Sequence, residues 1–362
     1  QPWEFRSKPA WQRLIIMLAG VTMNVLLAFL IYAMTLFTWG ETKLPMASVK
    51  DGIMITDSLM HDIGLRNGDQ VLAVNGEPVK YFEDLPSRIL LGKQITISRD
   101  GKDSTINLPP NLIEKLVESK NRKSTLVSPR LPVIVGALDD SVSANAIKAG
   151  LKLYDRIVAV DSTPVTYFDQ MAPLLQVRKG DSVSLTVMRD HKPVHLRTLL
   201  DTAGKIGFLE ISLQQADSLG IMKMQNLKYG FLAAFPAGVK KAGQKLDNYI
   251  QQFKMMLNPS TGAYKALGGF KTIASIFPST GWDWEAFWNI TAFLSIMLAF
   301  MNLLPIPALD GGHVLFTLYE MISGRKPSDK FLEYAQIAGM VFLLALMLFA
   351  NGNDWFGWGR GH

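Results

Sequence analysis

Three long apolar runs dominate the hydrophobic pattern of the chain. Residues 14–39 and 286–309 carry no charged side chain, and a third run covers 332–351. At about 1.5 Å per helical residue, each is long enough to span a hydrocarbon core of about 30 Å, with or without tilt. A cleaved signal peptide does not explain the first run, which is too long and lacks a small-residue cleavage site. We predict transmembrane helices at 14–39, 286–322 and 332–351.

Basic residues near these runs predict the orientation, because lysine and arginine favour the cytoplasmic side. One cluster precedes the first span and another separates the second from the third. The region between the first two spans is then extracytoplasmic, and residues 1–13 are a cytoplasmic lead-in. The clusters are Arg6, Lys8 and Arg13, and Arg325, Lys326 and Lys330.

The extracytoplasmic region contains an internal repeat. The run from Gly64 to Asn75 recurs from Gly150 to Asp161, and Pro78 to Phe82 recurs with the same spacing from Pro164 to Phe168. Two domains of one kind are therefore expected in tandem. Each copy predicts a turn, a short apolar strand, an amphipathic helix and a strand pair. An Asp100-Gly101 hairpin joins the pair in the first copy.

The repeated pattern Gly-Leu-x-x-Gly-Asp-x-Val-x-x-Val-Asn-Gly resembles that of PDZ domains. The second copy departs from it, with Tyr154 and Ser162 in place of glycines. The resemblance implies α+β domains at 46–110 and 131–200, separated by a helix-containing linker at 111–130. It also implies peptide partners, since PDZ domains add an extended peptide to a sheet edge. Alternatively, the glycines and aspartates of the repeat only shape turns.

Composition adds limits to this picture. Hydrophobic residues make up 48% of the 362-residue chain, as its membrane spans require. There is no cysteine, so disulfides and thiolate metal ligands are excluded. The net charge of +6 is accounted for by basic clusters beside spans, and no aromatic-basic stripe suggests nucleic acid. Nucleic acid is therefore not an expected partner.

The strongest chemical signal is the run from Asn302 to His313, Asn-Leu-Leu-Pro-Ile-Pro-Ala-Leu-Asp-Gly-Gly-His. It brings a carboxylate, Asp310, to the end of the second apolar run. An acidic side chain at membrane depth is costly and usually has a functional partner such as a cation. The prolines and glycines would interrupt a helix there. The alternative is that Leu-Asp-Gly-Gly is only a turn.

Taken in order, these elements resemble the site-2 protease family of intramembrane zinc metalloproteases. The resemblance covers nearly the whole chain and rests on Gly20-x-x-x-Asn24, Asn302-x-x-Pro305-x-Pro307 and Leu309-Asp310-Gly311-Gly312. The expected fold is a multi-pass α-helical membrane protein with two inserted extracytoplasmic α+β PDZ domains. The family binds zinc through two histidines of His-Glu-x-x-His and the aspartate that corresponds to Asp310. The resemblance implies that Asp310 is a metal ligand.

The family chemistry suits these residue types. Three protein ligands leave one zinc position for water, whose pKa falls toward about 7. The amides of Asn24 and Asn302, with Pro305 and Pro307, are expected to contact an unwound substrate segment whose backbone groups would otherwise lack partners. The same asparagines could instead bond neighbouring helices to each other.

The chain contains no His-Glu-x-x-His, so no residue in it is assigned as the catalytic base. None of His61, His191, His195, His313 and His362 is paired at that spacing. We expect that an N-terminal segment with the first span and two zinc ligands is missing from this sequence. His313, three residues after Asp310, is expected to have a packing or supporting role; the alternative is that it binds a metal from the same helix face.

Residues 201–285 predict an amphipathic, interfacial helical segment. Between Asn226 and Leu257 apolar residues recur at helical spacing and lysines lie among them. Such helices could lie on membrane lipids, with lysine stems reaching the headgroups, or pack against protein.

Two functional hypotheses follow. The first is a zinc endopeptidase of a bacterial inner membrane, with periplasmic PDZ domains that gate access. Its substrates would be single-pass membrane proteins, such as an anti-sigma factor or remnant signal peptides. The second is a noncatalytic membrane-anchored PDZ adaptor.

Overall fold

The computed structural model describes residues 8–119, 125–138, 144–278 and 281–358. Arg6, one residue of the first basic cluster, lies outside them. The chain divides into two compact units. A membrane unit comprises 1–41, 110–119 and 226–362, and a repeat unit comprises 42–109 and 120–225.

The helices within the described residues are α1 Ala10–Thr38, α2 Ser58–Asp62, α3 Leu85–Leu91, α4 Leu112–Glu118, α5 Ala144–Lys148, α6 Phe168–Gln176, α7 Leu213–Ser218, α8 Phe231–Leu257, α9 Phe270–Ala274, α10 Trp284–Leu303, α11 Asp310–Ser323 and α12 Asp329–Phe356. The strands are β1 Glu41–Lys43, β2 Ile53–Ile55, β3 Gln70–Val74, β4 Glu77–Pro78, β5 Gln94–Arg99, β6 Lys102–Asn107, β7 Val127–Pro129, β8 Val135–Ala137, β9 Arg156–Val160, β10 Thr163–Pro164, β11 Ser182–Arg189, β12 Lys192–Leu199, β13 Leu209–Glu210 and β14 Gln225–Leu227.

Three helices of the membrane unit, α1, α10 and α12, are long and apolar enough to cross a membrane. The prediction of a multi-pass α-helical membrane protein is confirmed at this level. The predicted span at 286–322 is not one helix, because α10 ends at Leu303 and α11 begins at Asp310. Pro305 and Pro307 lie between them, and proline cannot donate the backbone hydrogen bonds that a continuous helix requires.

Helix α8 packs against α1 through small residues. A side chain at Gly238 would begin 2.6 Å from the Ala33 nitrogen, so glycine permits this close approach. The predicted amphipathic segment could contact either lipid or protein, and this face of α8 packs against protein. Phe231, Leu232 and Val239 of the same helix remain exposed. The buried residues where α1, α8 and α10 meet are Ala28, Ile31, Tyr32, Ala242, Ala292 and Ile296.

The sequence repeat of the second unit recurs in its topology. One antiparallel sheet has the order β4-β3-β5-β6, and the other has the matching order β10-β9-β11-β12. Each copy adds a two-stranded sheet, β2 with β7 and β8 with β13. The predicted hairpin joins β5 to β6, and Asp100 and Gly101 both have positive φ, as a tight hairpin turn requires.

Two predicted boundaries differ from the observed strands. Strand β7 falls in the predicted linker 111–130, but it pairs with β2 of the first copy. Strand β13 falls in the predicted helical segment 201–285, but it pairs with β8 of the second copy. Each is too short to be recognised from alternation, and its pairing partner is distant in the chain. The same predicted linker also contains α4, whose Glu114 and Glu118 bind Lys265 of the membrane unit at 2.5 and 2.6 Å.

Candidate metal site at the broken membrane helix

The polypeptide between α10 and α11 is an irregular segment held by its own turns. The Ile306 nitrogen donates to the Leu304 carbonyl at 2.7 Å, and the Leu309 nitrogen donates to the Ile306 carbonyl at 3.0 Å. Ala308 has φ of +93°, a conformation that non-glycine residues rarely adopt. Irregular backbone of this kind is tolerated at membrane depth only within protein or a wet cavity.

Glycines allow the neighbouring helices to approach this segment. A Cβ at Gly312 would lie 2.6 Å from the Ile306 carbonyl oxygen, and one at Gly339 of α12 would lie 1.5 Å from that of Pro307. Gly311 is similarly close to the Leu304 carbonyl oxygen, at 2.2 Å. The Gly-Gly pair after Asp310 is therefore required by packing, and Pro307 has a packing role against α12.

Asp310 is the first residue of α11, and its side chain is exposed. Within the described residues its carboxylate forms no hydrogen bond or ion pair. The positive end of the helix dipole favours a negative charge in this first turn. The residue thus presents an available anionic oxygen ligand next to a break in the membrane helix.

A carboxylate oxygen is a suitable zinc ligand, so Asp310 fits the metal that the family resemblance implies. His313 is also exposed, one turn into α11. In the ranges that the structure describes, no three histidine, aspartate or glutamate side chains come together as a metal-binding group. Asp310 fits as one ligand, and the described residues do not supply a complete set.

The two predicted substrate-binding asparagines lie on helices that pack together. Asn24 is in α1 and Asn302 is in the last turn of α10, and both are half-buried. The Asn24 backbone carbonyl accepts a hydrogen bond from the Ser295 hydroxyl at 2.9 Å. Neither side-chain amide forms a hydrogen bond within the described part of the chain. The substrate role of the two asparagines stays a prediction. Pro305 is exposed beside them.

Residues that the sequence analysis did not assign to the site attach α11 to α1. Arg13 binds Glu320 at 2.6 Å, and the two side chains are only 13% and 15% exposed. One turn away, the Thr317 hydroxyl lies 3.8 Å from the Met17 sulfur. Glu320 is the only acidic residue between Asp310 and Asp329 in the sequence. This isolated charge was the feature from which an ion pair with another helix could have been predicted.

Comparison with known proteins identifies the family of the chain. The family model described as peptidase family M50 matches residues 1–346. The chain belongs to peptidase family M50. The resemblance to site-2 proteases is thereby confirmed. Two relatives carry the name "regulator of sigma-E protease", one from Escherichia coli and one from Haemophilus influenzae. Each is 26% identical, and the match covers 97% of this chain and 80% of the relative.

A relative from Mesorhizobium japonicum is named as a candidate zinc metalloprotease. It is 31% identical over 239 residues, which are 62% of this chain and 62% of that relative. Members of family M50 with similar sequences are thus named as zinc metalloproteases. This chain spans less than two thirds of one such relative and about four fifths of the two sigma-E regulators.

Proposed function

We propose that this protein is an intramembrane zinc endopeptidase that cuts single-pass membrane proteins, and that Asp310 is one of its metal ligands. The observation that carries the proposal is the exposed carboxylate of Asp310, without a protein partner among the described residues, at a break in a membrane helix.

Zinc bound there would activate water for attack on a peptide bond. The protein residues have separate tasks. Gly311 and Gly312 let α11 begin tightly against the segment that precedes it, which holds Asp310 in place. Asn24 and Asn302 offer amides that can pair with the backbone of an unwound substrate, and exposed Pro305 borders the same segment. The Arg13–Glu320 pair keeps α11 against α1.

The two repeats of the second unit are, in this proposal, PDZ domains on the periplasmic side of a bacterial inner membrane. They would control which substrates reach Asp310 and could bind peptides at their sheet edges. Anti-sigma factors are candidate substrates because two relatives are named regulators of sigma-E protease. Remnant signal peptides are a second candidate class. The basic residues Lys8, Arg13, Arg325, Lys326 and Lys330 support this orientation.

Replacing Asp310 by asparagine tests the proposal. The change keeps the shape and turn propensity but removes the charge that would bind zinc. Because a direct ligand should matter at least as much as an outer-shell partner, we expect cleavage of a model transmembrane substrate to fall by about 100-fold or more. Bound zinc should fall as well, with normal membrane insertion. Cleavage and zinc are measured on the full-length purified protein.

Asp329→Asn is the matched control. Asp329 is also the first residue of a membrane helix, α12, and is also exposed. Both variants lose a similar interaction with a helix dipole, which contributes roughly 0.3–1 kcal/mol. Only Asp310→Asn should abolish cleavage. Near-normal turnover by Asp310→Asn would remove the residue from the active site and leave the PDZ adaptor as the better hypothesis.

A further inference from the structure

Arg130 lies at the junction between the two repeats. It directly follows β7, the last strand of the first repeat, and its backbone nitrogen donates to the Gly52 carbonyl at 3.0 Å. Its guanidinium donates two hydrogen bonds to the Asp169 carboxylate at the start of α6, at 2.9 and 2.7 Å. The two side chains are only 15% and 10% exposed. One residue therefore binds the backbone of one repeat and a side chain of the other.

Two further contacts involve the same guanidinium. It lies 4.0 Å from the centre of the Tyr167 ring, a cation–π distance. It also meets Gly68 of the first repeat, where an added Cβ would lie 3.0 Å from a guanidinium nitrogen. The Arg130 side chain thus contacts Gly68 of the first repeat and Tyr167 of the second.

The Asp51 carboxylate of the first repeat lies near Tyr167 of the second, and both line one cleft. Burial raises the pKa of Tyr167, and the neighbouring Asp51 carboxylate raises it further. An acid of the first repeat and Arg130 therefore both act on one tyrosine of the second repeat.

The corresponding position of the first repeat has a related but different arrangement. There Lys43 lies over the Tyr81 ring at 4.8 Å, as Arg130 lies over Tyr167. The residue that matches Asp169 is Glu83, which accepts a hydrogen bond from the Leu44 backbone nitrogen at 2.8 Å. Lysine is a compact charge, whereas the planar arginine fork can stack on a ring and bind a carboxylate at two points at once. The described contacts place this arginine fork at the junction between the two repeats.

The surroundings of these contacts are polar, and the apolar core beside them belongs to one repeat only. The apolar core of the second repeat, which runs from Val133 to Ile206, draws no buried residue from the first. A polar cleft of about 370 Å³ is lined mainly by residues of the first repeat, among them Lys50, Asp51, Arg66 and Arg99, and it is closed by Arg130 and Tyr167. A junction without a shared apolar core depends on a few directional contacts to hold one geometry.

We propose that Arg130 is a clamp that locks the two repeats into one rigid body, and that this rigidity is a specificity determinant which excludes substrates with bulky outer domains. The proposal rests on the proposed protease function for its second half only. A loosened pair would open to admit larger substrates, while cleavage of short ones would not change, because Arg130 takes no part in the chemistry.

This chain has no cysteine, so spin labels can be attached at chosen sites without background from its own residues. Lys102 and Lys192 are exposed residues at the hairpin ends of the two repeats, and both are replaced by cysteine. Double electron–electron resonance on the full-length protein then measures the distance distribution between them. We expect a narrow distance distribution in the protein that retains Arg130. In Arg130→Ala the distribution should be about twice as wide or more, because the hinge between the two repeats is released.

Arg178→Ala is the matched control, since Arg178 pairs with Asp161 and Asp181 inside the second repeat at 3.2 and 3.4 Å and is far more exposed. It should leave the distribution narrow. Asp169→Asn and Arg130→Lys serve as milder variants if Arg130→Ala unfolds the unit, and both should broaden the distribution. An unchanged width in the folded Arg130 variants would overturn the clamp.

The same variants are compared in cleavage of two substrates that share one transmembrane segment, one with a short and one with a bulky outer domain. We expect Arg130→Ala to raise cleavage of the bulky substrate relative to the short one by about tenfold, a specificity change of about 1.4 kcal/mol. A broadened distance distribution with an unchanged ratio would overturn the specificity role. If the unaltered protein cuts neither substrate, the proposed protease function is wrong. The distance measurement still tests whether Arg130 holds the two repeats together.

Discussion

At the residue scale, each repeat depends on one buried aspartate and one arginine. Asp69, 1% exposed, accepts two hydrogen bonds from Arg99 at 2.7 and 2.8 Å, and it also accepts from the Arg66 backbone nitrogen. Asp155 and Arg189 repeat the arrangement. The alternative reading, in which these aspartates shape the fold, is therefore supported by their contacts.

Removing one partner should destabilise the repeat. Asp69→Ala leaves the Arg99 charge and the Arg66 nitrogen without their acceptor. We expect a loss of about 3 kcal/mol in the unfolding free energy of the repeat unit, as for other buried pairs. Arg178→Ala, which breaks an exposed pair, should change it by no more than about 1 kcal/mol. Hydrogen exchange of the repeat-unit amides measures both, and equal effects would contradict a special role for Asp69.

Glu210 predicts a pH effect. Burial, with a smaller contribution from the charge of Asp169, raises the pKa of Glu210 from 4.5 to about 7. The folded state holds this proton more tightly than the unfolded chain. Its stabilising contribution is therefore complete below about pH 4.5 and is lost as the pH rises through about 7.

Glu210→Gln removes this dependence while it keeps the side-chain shape. The variant should become more stable than the unaltered protein as the pH rises from about 4.5 to about 8. Glu77→Gln, at a glutamate whose side chain is 80% exposed, should give no such trend. Thermal unfolding across this range measures both differences. A constant difference for Glu210→Gln would show that the carboxyl titrates normally.

At the element scale, the break between α10 and α11 is stabilised from outside by α12. Pro305 and Pro307 stop the helix, but proline alone does not fix the position of α11. Gly339 of α12 contacts the Pro307 carbonyl so closely that no side chain fits between them. The geometry of Asp310 therefore depends on a helix that begins after it.

Gly339→Ala should damage the site although residue 339 is remote in sequence from Asp310. Its Cβ would begin 1.5 Å from the Pro307 oxygen, so backbone must move. We expect a stability loss of about 1–3 kcal/mol, typical of overpacking, and a clear loss of cleavage.

Gly243→Ala in α8 is the control. A Cβ there meets nothing within 4 Å, so it should be neutral or stabilising by up to about 1 kcal/mol. Thermal stability in detergent and substrate cleavage are the measurements, and full activity of Gly339→Ala would contradict the proposed support by α12.

At the scale of the whole molecule, charge and membrane spans together predict the topology. Two apolar helices, α1 and α10, separate the two basic clusters from the repeat unit along the chain. Because basic loops favour the cytoplasmic side, we predict that the repeats lie outside.

Cysteine labelling checks this topology, since the chain has no cysteine of its own. Ser104→Cys, in exposed strand β6, should react with a membrane-impermeant maleimide added from outside the inner membrane. Pro327→Cys, in the loop between α11 and α12, should react only after the membrane is opened. Labelling of Pro327→Cys from outside would reverse the predicted orientation.

The sequence determined the features that depend on neighbours in the chain. Apolar runs of sufficient length marked the three membrane helices, and the Asp-Gly hairpin and the tandem repeat were recognisable because turns and short-range spacing are local properties. Asp310 stood out because a charge beside an apolar run is costly wherever the chain folds. The Leu-Asp-Gly-Gly motif also located the break in the helix, although the predicted span was drawn through it.

Only the tertiary structure decided which distant residues meet. The pairing of β7 with β2 and the partners of Asp69 join residues far apart in sequence, and no local pattern specifies them. The same holds for the contact of Gly339 with Pro307 and for the contacts of Arg130 with Gly68 and Tyr167. Each of these contacts exists because packing and hydrogen bonding satisfy buried groups wherever partners are available in space, and the chain order places no limit on that choice.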